Sequence, residues 1–209
     1  MSGAKTVAVV DDDPDVCKAL ARLLRAEGWQ VETFGSAEAF LARADAQSDT
    51  ACLVLDVSLP DLDGLGLQRR LAESGHVWPI VFLTGHGDIP KSVQAMKAGA
   101  ADFLVKPVKA GLLLPAIRAA IAEGEAARIA SDGAAELRVR FESLSERERE
   151  VLSRLAEGKL NKQVAADLGI VEQTVKFHRA RIMERLGAGS AAELMLFAAK
   201  LGLGGAPRR

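Results

Sequence analysis

Asp11 and Asp12 in "VVDDD" (9–13), Asp56 at the end of "ACLVLD" (51–56), Thr84 closing "PIVFLT" (79–84) and Lys106 in "DFLVKP" (102–107) each stand at or just after the end of a short apolar run. Singly, each is ordinary: an Asp after a strand commonly serves as a turn or helix-cap residue. Brought together, three carboxylates repel one another, so the group either retains a proton or binds a cation. A donor set of oxygens, without His or Cys, points to a hard ion, Mg2+, which keeps waters and takes few protein ligands. Such an ion beside a carboxylate can hold and polarise a phosphoryl donor while Lys106 balances charge on the moving oxygens. Asp56 would then be the nucleophile, forming an aspartyl phosphate.

That chemistry requires the five residues to meet, and the surrounding pattern provides for it. From Lys5 to Ala122 the apolar runs "VAVV" (7–10), "VETF" (31–34), "CLVLD" (52–56), "PIVFLT" (79–84) and "DFLVK" (102–106) alternate with helical patterns at about 14–27, 36–46, 64–73, 90–98 and 109–123. Strands alternating with helices predict a parallel, doubly wound five-stranded sheet, and runs rich in Val, Ile and Leu suit strands covered on both faces. Ligands of such sheets bind outside the carboxyl ends of the strands, where these candidates stand.

Composition sets the outer bounds. The chain has 209 residues, 49% hydrophobic and 26% charged, the profile of a globular protein with a real core. No apolar run approaches the roughly 18 residues of a membrane span, and "MSGAKTVAVV" lacks the marks of a signal peptide, so a cytoplasmic location is expected. Cys17 and Cys52 are expected to be reduced, buried thiols. Residues 1–123 hold twelve basic against sixteen acidic residues (net −4), and residues 141–209 hold twelve against nine (net +3), which predicts two domains with different partners.

Beyond the sheet pattern, residues 124–140, "GEAARIASDGAAELRVR", read as a partly helical linker with a flexible point near Gly133. From Leu144 onward the pattern is helical only. Ser145 with Glu148 three residues later forms a capping-box signature, and helices are expected at about 145–157, 161–168, 172–186 and 190–201, most of them stopped by Gly. The second and third, joined through "LGIVE", have helix-turn-helix spacing. In the third, Val175, Ile182 and Leu186 share one face, while Gln173, Phe177, Ala180 and Glu184 point outward between Lys176 and Arg181. An outward Phe beside Lys and Arg is unusual for a merely solvated helix and fits a helix entering a major groove. The modest charge implies tight binding only as a dimer. Val171, at the N-cap of this helix, has no side-chain oxygen to offer, which leaves Thr174 or a DNA phosphate to satisfy the first turn.

These motifs carry two resemblances. "VVDDD", "LVLDVSLPDLDG" (53–64), "PIVFLTGHGD" (79–88) and "AMKAGAADFLVKP" (95–107) resemble the receiver domain of two-component response regulators, with a flavodoxin-like sheet, over about residues 4–122. The resemblance implies that Asp56 is the phosphoacceptor and that Asp11 and Asp12 are the Mg2+-binding acids, with the Ser58 backbone carbonyl completing the protein ligands. It further implies that Thr84 hydrogen-bonds the phosphoryl group, that Lys106 pairs with it, that Pro107 follows a cis peptide bond and that Phe103 is the switch aromatic. Ser58 and His86, two residues after Asp56 and Thr84, are expected to tune the lifetime of the phosphoryl group.

"LSEREREVLSRLAEGKLNKQVAADLGIVEQTVKFHRARIMERLGAGSAAELMLFA" (144–198) resembles the LuxR-type helix-turn-helix of the NarL/FixJ response regulators. By that resemblance Lys176, Phe177 and Ala180 face bases, and Thr174, Arg179 and Arg181 lie nearer the backbone, with His178 on the inner face. The whole implies a receiver domain (1–123), a linker (124–140) and a small all-α, four-helix DNA-binding domain (141–209). Phosphorylation of Asp56 by a partner histidine kinase would promote a homodimer on double-stranded promoter DNA, with RNA polymerase as a further partner. Two rival readings are a regulator independent of phosphorylation and an Asp-nucleophile phosphohydrolase. Ser58 disfavours the second, because such enzymes need an acid two residues after the nucleophile, and "DDDPD" excludes the Gly-rich turn of a dinucleotide site.

Overall fold

Alternate residues of a strand point to opposite faces, so a run apolar at every position can only be accommodated by burying both faces of the sheet. The structure is a computed structural model that describes residues 5–44, 50–60, 62–85 and 89–204; His86 lies outside the described residues. Five strands, β1 (Thr6–Val10), β2 (Gln30–Phe34), β3 (Thr50–Asp56), β4 (Ile80–Thr84) and β5 (Asp102–Val105), form one parallel sheet in the order β2-β1-β3-β4-β5. Helices α1 (Pro14–Ala26), α2 (Ala37–Ala44), α3 (Gly64–Glu73), α4 (Ile89–Lys97) and α5 (Ala110–Glu142) follow the strands in turn. The doubly wound sheet read from the sequence is the sheet observed, with boundaries shifted by one or two residues except in α5.

The alternation along the strands decides what each helix covers. Val7, Val9, Val54, Val81 and Leu83 face Leu20 and Leu24 of α1 and Leu113 and Ile117 of α5. Ala8, Val10, Leu53, Leu55 and Phe82 face the other way, onto Phe40 of α2, Leu67 and Leu71 of α3 and Ala95 of α4. Fully burying one such Leu or Phe contributes about 1.5–3 kcal/mol, so each layer draws on many comparable increments.

The chain divides into two compact units, Met1–Ala127 and Arg128–Arg209. In the second, α6 (Glu146–Ala156), α7 (Asn161–Leu168), α8 (Glu172–Leu186) and α9 (Ala191–Lys200) enclose a core of Val151, Leu152, Val164, Val175, Ile182, Leu186 and Leu194. Gly169 and Gly187 end α7 and α8 in the left-handed region (φ 64° and 74°), which a Cβ would penalise.

One expectation about the elements needs correction. The helix expected to end near residue 123, and the linker expected to break near Gly133, form a single helix from Ala110 to Glu142. Each interior Gly costs about 1 kcal/mol of helix propensity. The Ala-rich composition, the Arg128–Asp132 and Glu136–Arg140 pairs, and burial of Leu137 with packing of Phe141 in the second unit's core offset that cost. That core therefore draws on the end of α5 as well as on four helices.

Candidate functional site

The sheet order reverses direction around β1 and β3, and the crevice at their carboxyl ends is the usual ligand position of an open α/β sheet. Pairing of Val10 with Leu55 sets Asp11 beside Asp56, and pairing of Asp56 with Leu83 sets Thr84 next along the edge. Lys106 follows β5; its N–H donates to the Thr84 carbonyl at 2.7 Å, and the Lys106–Pro107 peptide is cis, as the resemblance implied.

The five candidates therefore share one sheet edge. Asp11, Asp56 and Thr84 are buried, and Asp12 is exposed. Lys106 Nζ donates to Asp11 Oδ2 at 2.6 Å and to Asp56 Oδ2 at 2.8 Å. The second oxygen of Asp56, Oδ1, accepts from the Ser58 N–H at 3.1 Å. Burial holds the Asp11 carboxyl above its ordinary value, against the opposing hydrogen bond from Lys106. Burial also acts to lower Lys106, but its hydrogen bonds to Asp11 and Asp56 prevail and raise it, so the ammonium stays charged. A cleft of about 380 Å³, lined in part by Asp11, Asp12, Lys18, Arg22 and Phe34, opens beside the acids.

The three consecutive acids have separate tasks. Asp13 caps α1 by accepting from the Asp15 and Val16 N–H groups, and its own N–H donates to Asp11 Oδ1 at 3.0 Å. Asp11, Asp12 and Asp56 remain as a cluster whose ligand oxygens lie within 4.8 Å of one another. Three carboxylates against one ammonium leave two negative charges, and the oxygen-only donor set fits a divalent hard cation.

Sequence reasoning missed Gly64, the first residue of α3. A Cβ there would collide with the backbone oxygen of Asp56 and crowd Phe82 Cε1 at 3.1 Å, so only glycine lets α3 start against the end of β3. Its signal in the sequence is the Gly that closes "LPDLDG" (59–64). The Phe103 ring packs against Phe82, with centroids 6.1 Å apart. Cys17 and Cys52 are free and buried, and burial pushes the Cys52 thiol up to about 12.

In the second unit the expected capping box is formed: Ser145 Oγ accepts from the Glu148 N–H at 3.2 Å, and Glu148 Oε2 accepts from the Ser145 N–H at 2.8 Å. Val175, Ile182 and Leu186 are fully buried, whereas Lys176, Phe177, Ala180 and Arg181 are exposed and Thr174 and Arg179 half-buried. Val171 caps α8 without a side-chain hydrogen bond. His178 is half-buried, its ring inclined at 63° to that of Phe177 with centroids 5.9 Å apart. Arg185, one turn past Arg181, turns inward to the Ser143 carbonyl (2.7 Å) and to Glu148 (3.4 Å).

A carboxylate cluster at the switch point of a 2-1-3-4-5 sheet, joined in one chain to a helix-turn-helix, defines a receiver-and-effector protein. Residues 7–118 match the response regulator receiver domain family, and residues 142–198 match the bacterial regulatory proteins of the luxR family. The chain is 45% identical over 192 residues to the response regulator protein TodT of Pseudomonas putida strain F1, covering 92% of this chain and 84% of that one. It is 42% identical over 200 residues to the transcriptional regulatory protein FixJ of Rhizobium meliloti strain 1021, covering 95% and 97%. The solved response regulator StyR superposes with a TM-score of 0.81 at 43% identity, covering 95% of this chain and all of that one. The chain belongs to the NarL/FixJ family of response regulators and is a DNA-binding response regulator. Among the described residues, no helix is long and apolar enough to cross a membrane.

Proposed function

We propose that Asp56 accepts a phosphoryl group from a partner histidine kinase in the cytoplasm and that the resulting charge controls DNA binding by residues 141–209. The observation that carries this reading is the double contact of Lys106 Nζ with Asp11 and Asp56 beside a third acid, at the switch point of the sheet. An Asp56 oxygen attacks phosphorus, an O–P bond forms, and the bond from phosphorus to the donor nitrogen breaks, its electron pair remaining on the departing imidazole. Asp11, Asp12, Asp56 and the Ser58 carbonyl would hold Mg2+, which when bound would supply neutralising charge for the phosphoryl oxygens. Lys106 pairs with the transferred group and Thr84 hydrogen-bonds to it, while the Ser58 N–H keeps the Asp56 carboxylate oriented.

Phosphorylation adds roughly −1.5 to −2 charges at Asp56. Thr84 moves toward that charge and Phe103 turns inward, and the face carrying Val93, Met96 and Val105, all exposed, then pairs with a second copy. A dimer sets two α8 helices about one DNA turn apart, with Lys176, Phe177 and Ala180 toward bases and Thr174, Arg179 and Arg181 toward the backbone. RNA polymerase is the downstream partner. Ser58, exposed beside Asp56, together with His86, governs how fast water removes the phosphoryl group.

Incubation of the full-length chain with radiolabelled acetyl phosphate and Mg2+ tests the core claim. Stoichiometric, alkali-labile labelling is expected in the wild type and none in Asp56→Asn; retained labelling would exclude Asp56 as the sole acceptor.

A further inference from the structure

The cations of α8 are not equally available to a partner. Arg185 is committed to Ser143 and Glu148, and Lys176 Nζ lies 3.2 Å from Glu172. Arg181 differs. Its guanidinium carbon sits 5.3 Å from the centroid of the Phe177 ring one turn earlier, and among the described residues no hydrogen bond holds it. Phe177 is itself 56% exposed, on a helix whose opposite face carries the fully buried Val175, Ile182 and Leu186. A guanidinium stacked on a ring engages its π face and leaves its edge N–H groups for an acceptor.

We propose that Phe177 is a specificity-determining and positioning residue of the DNA interface: its ring contacts the 5-methyl group of a thymine in the major groove, and its face aims the Arg181 N–H fork at the phosphate beside that base. The inference rests on the reading of α8 as the groove-facing helix. Donors and acceptors dominate the major-groove edges of the four bases, and the thymine methyl is the apolar feature that a hydrocarbon ring can match. A guanidinium already held on the ring loses less freedom on meeting a phosphate than one free in water, so the aromatic residue strengthens a charged contact that it does not itself make.

This predicts that removal of an uncharged side chain lowers the salt dependence of binding. The probes are duplexes that the full-length wild-type chain, treated with acetyl phosphate and Mg2+ as every variant is, recovers from random-sequence DNA, each also prepared with uracil replacing thymine at one position at a time. The wild type is expected to lose affinity about fourfold, the value of one buried methyl group, at one such position per bound subunit. Phe177→Ala is expected to be indifferent to that replacement. The slope of log affinity against log salt is expected to fall by about 0.9 per bound subunit in Phe177→Ala and in Arg181→Ala, and no further in the double variant. Phe177→Leu is expected to retain sensitivity to the methyl group but to lose the slope. Helix content and phosphate uptake are expected to be unchanged throughout, because both side chains are exposed and lie in the second unit. Equal uracil sensitivity in the wild type and Phe177→Ala, or an undiminished slope in Phe177→Ala, would overturn the proposal while leaving DNA binding in place. Recovery of no duplex by the wild type would overturn the groove-facing assignment together with it.

Discussion

Glu148 is buried at the start of α6, where it accepts from the Ser145 N–H and pairs with Arg185. Burial acts to raise its carboxyl, but the Ser145 backbone and hydroxyl donors and the Arg185 charge prevail and hold it below its ordinary 4.5. A depressed acid contributes stability that is fully present above the unfolded value and is lost as pH falls through the folded one. Amide exchange in α6 of the full-length chain is therefore expected to accelerate as pH drops below about 4.5, after correction for the intrinsic pH dependence of exchange. Glu148→Gln should exchange faster at neutral pH and show a flatter acid response; an equally steep response would assign the acid sensitivity elsewhere. The Ser145-x-x-Glu148 spacing was legible in the sequence. Arg185 as the third member was not, because 36 intervening residues separate partners that only the packing of α6 against α8 brings together.

At the scale of elements, helix starts and close approaches matter most. Val171 is 67% exposed and leaves the first turn of α8 without a side-chain acceptor; the Thr174 N–H reaches only the Val171 carbonyl, at 2.9 Å. Val171→Ser is expected to add about 1 kcal/mol. For a unit of this size, that is a rise of about 4–8 °C in its unfolding transition, measured by calorimetry on the full chain. An unchanged or lower value would show that the cap is not missing. Gly64→Ala tests the opposite end of the molecule's tolerances. Its Cβ would meet the Asp56 backbone, so a loss of about 1–3 kcal/mol is expected, together with slower phosphate uptake as the strand end shifts. Wild-type kinetics in this variant would show that the Asp56 backbone is free to adjust. Strands β1, β3 and β4 were easily read because burial on both faces writes an apolar run. The length of α5 was misread because its glycines signal a break that Ala propensity, surface ion pairs and the burial of Leu137 overcome.

For the whole molecule, the proposed switch converts a local charge at Asp56 into association. Val93 and Met96 on α4 and Val105 on β5 are among the exposed apolar residues of the first unit, and they are the ones proposed for such a contact. Met96→Glu is expected to leave acetyl phosphate labelling intact and to abolish phosphorylation-dependent dimerisation in sedimentation velocity. Persistence of the phosphorylated dimer would place its interface elsewhere. To turn from 1:99 to 99:1, phosphorylation must favour the active state by about 5.5 kcal/mol, so a charge placed within the interface should be decisive.

The sequence by itself determined the alternation of strand and helix, the alignment of Asp11, Asp56, Thr84 and Lys106 with strand ends, and the apolar face of α8. Each of these is a periodicity or a local spacing, written by burial on a repeating geometry. Tertiary structure alone decided the strand order that seats Asp11 beside Asp56, the bridging of both by Lys106, the fit of Gly64 against the Asp56 backbone, and which α8 cations turn inward. Apart from Gly64 and Asp56, which are near neighbours in the chain, these contacts join residues tens of positions apart, and all have partners chosen by packing and charge neutralisation in the folded chain rather than by any pattern along it.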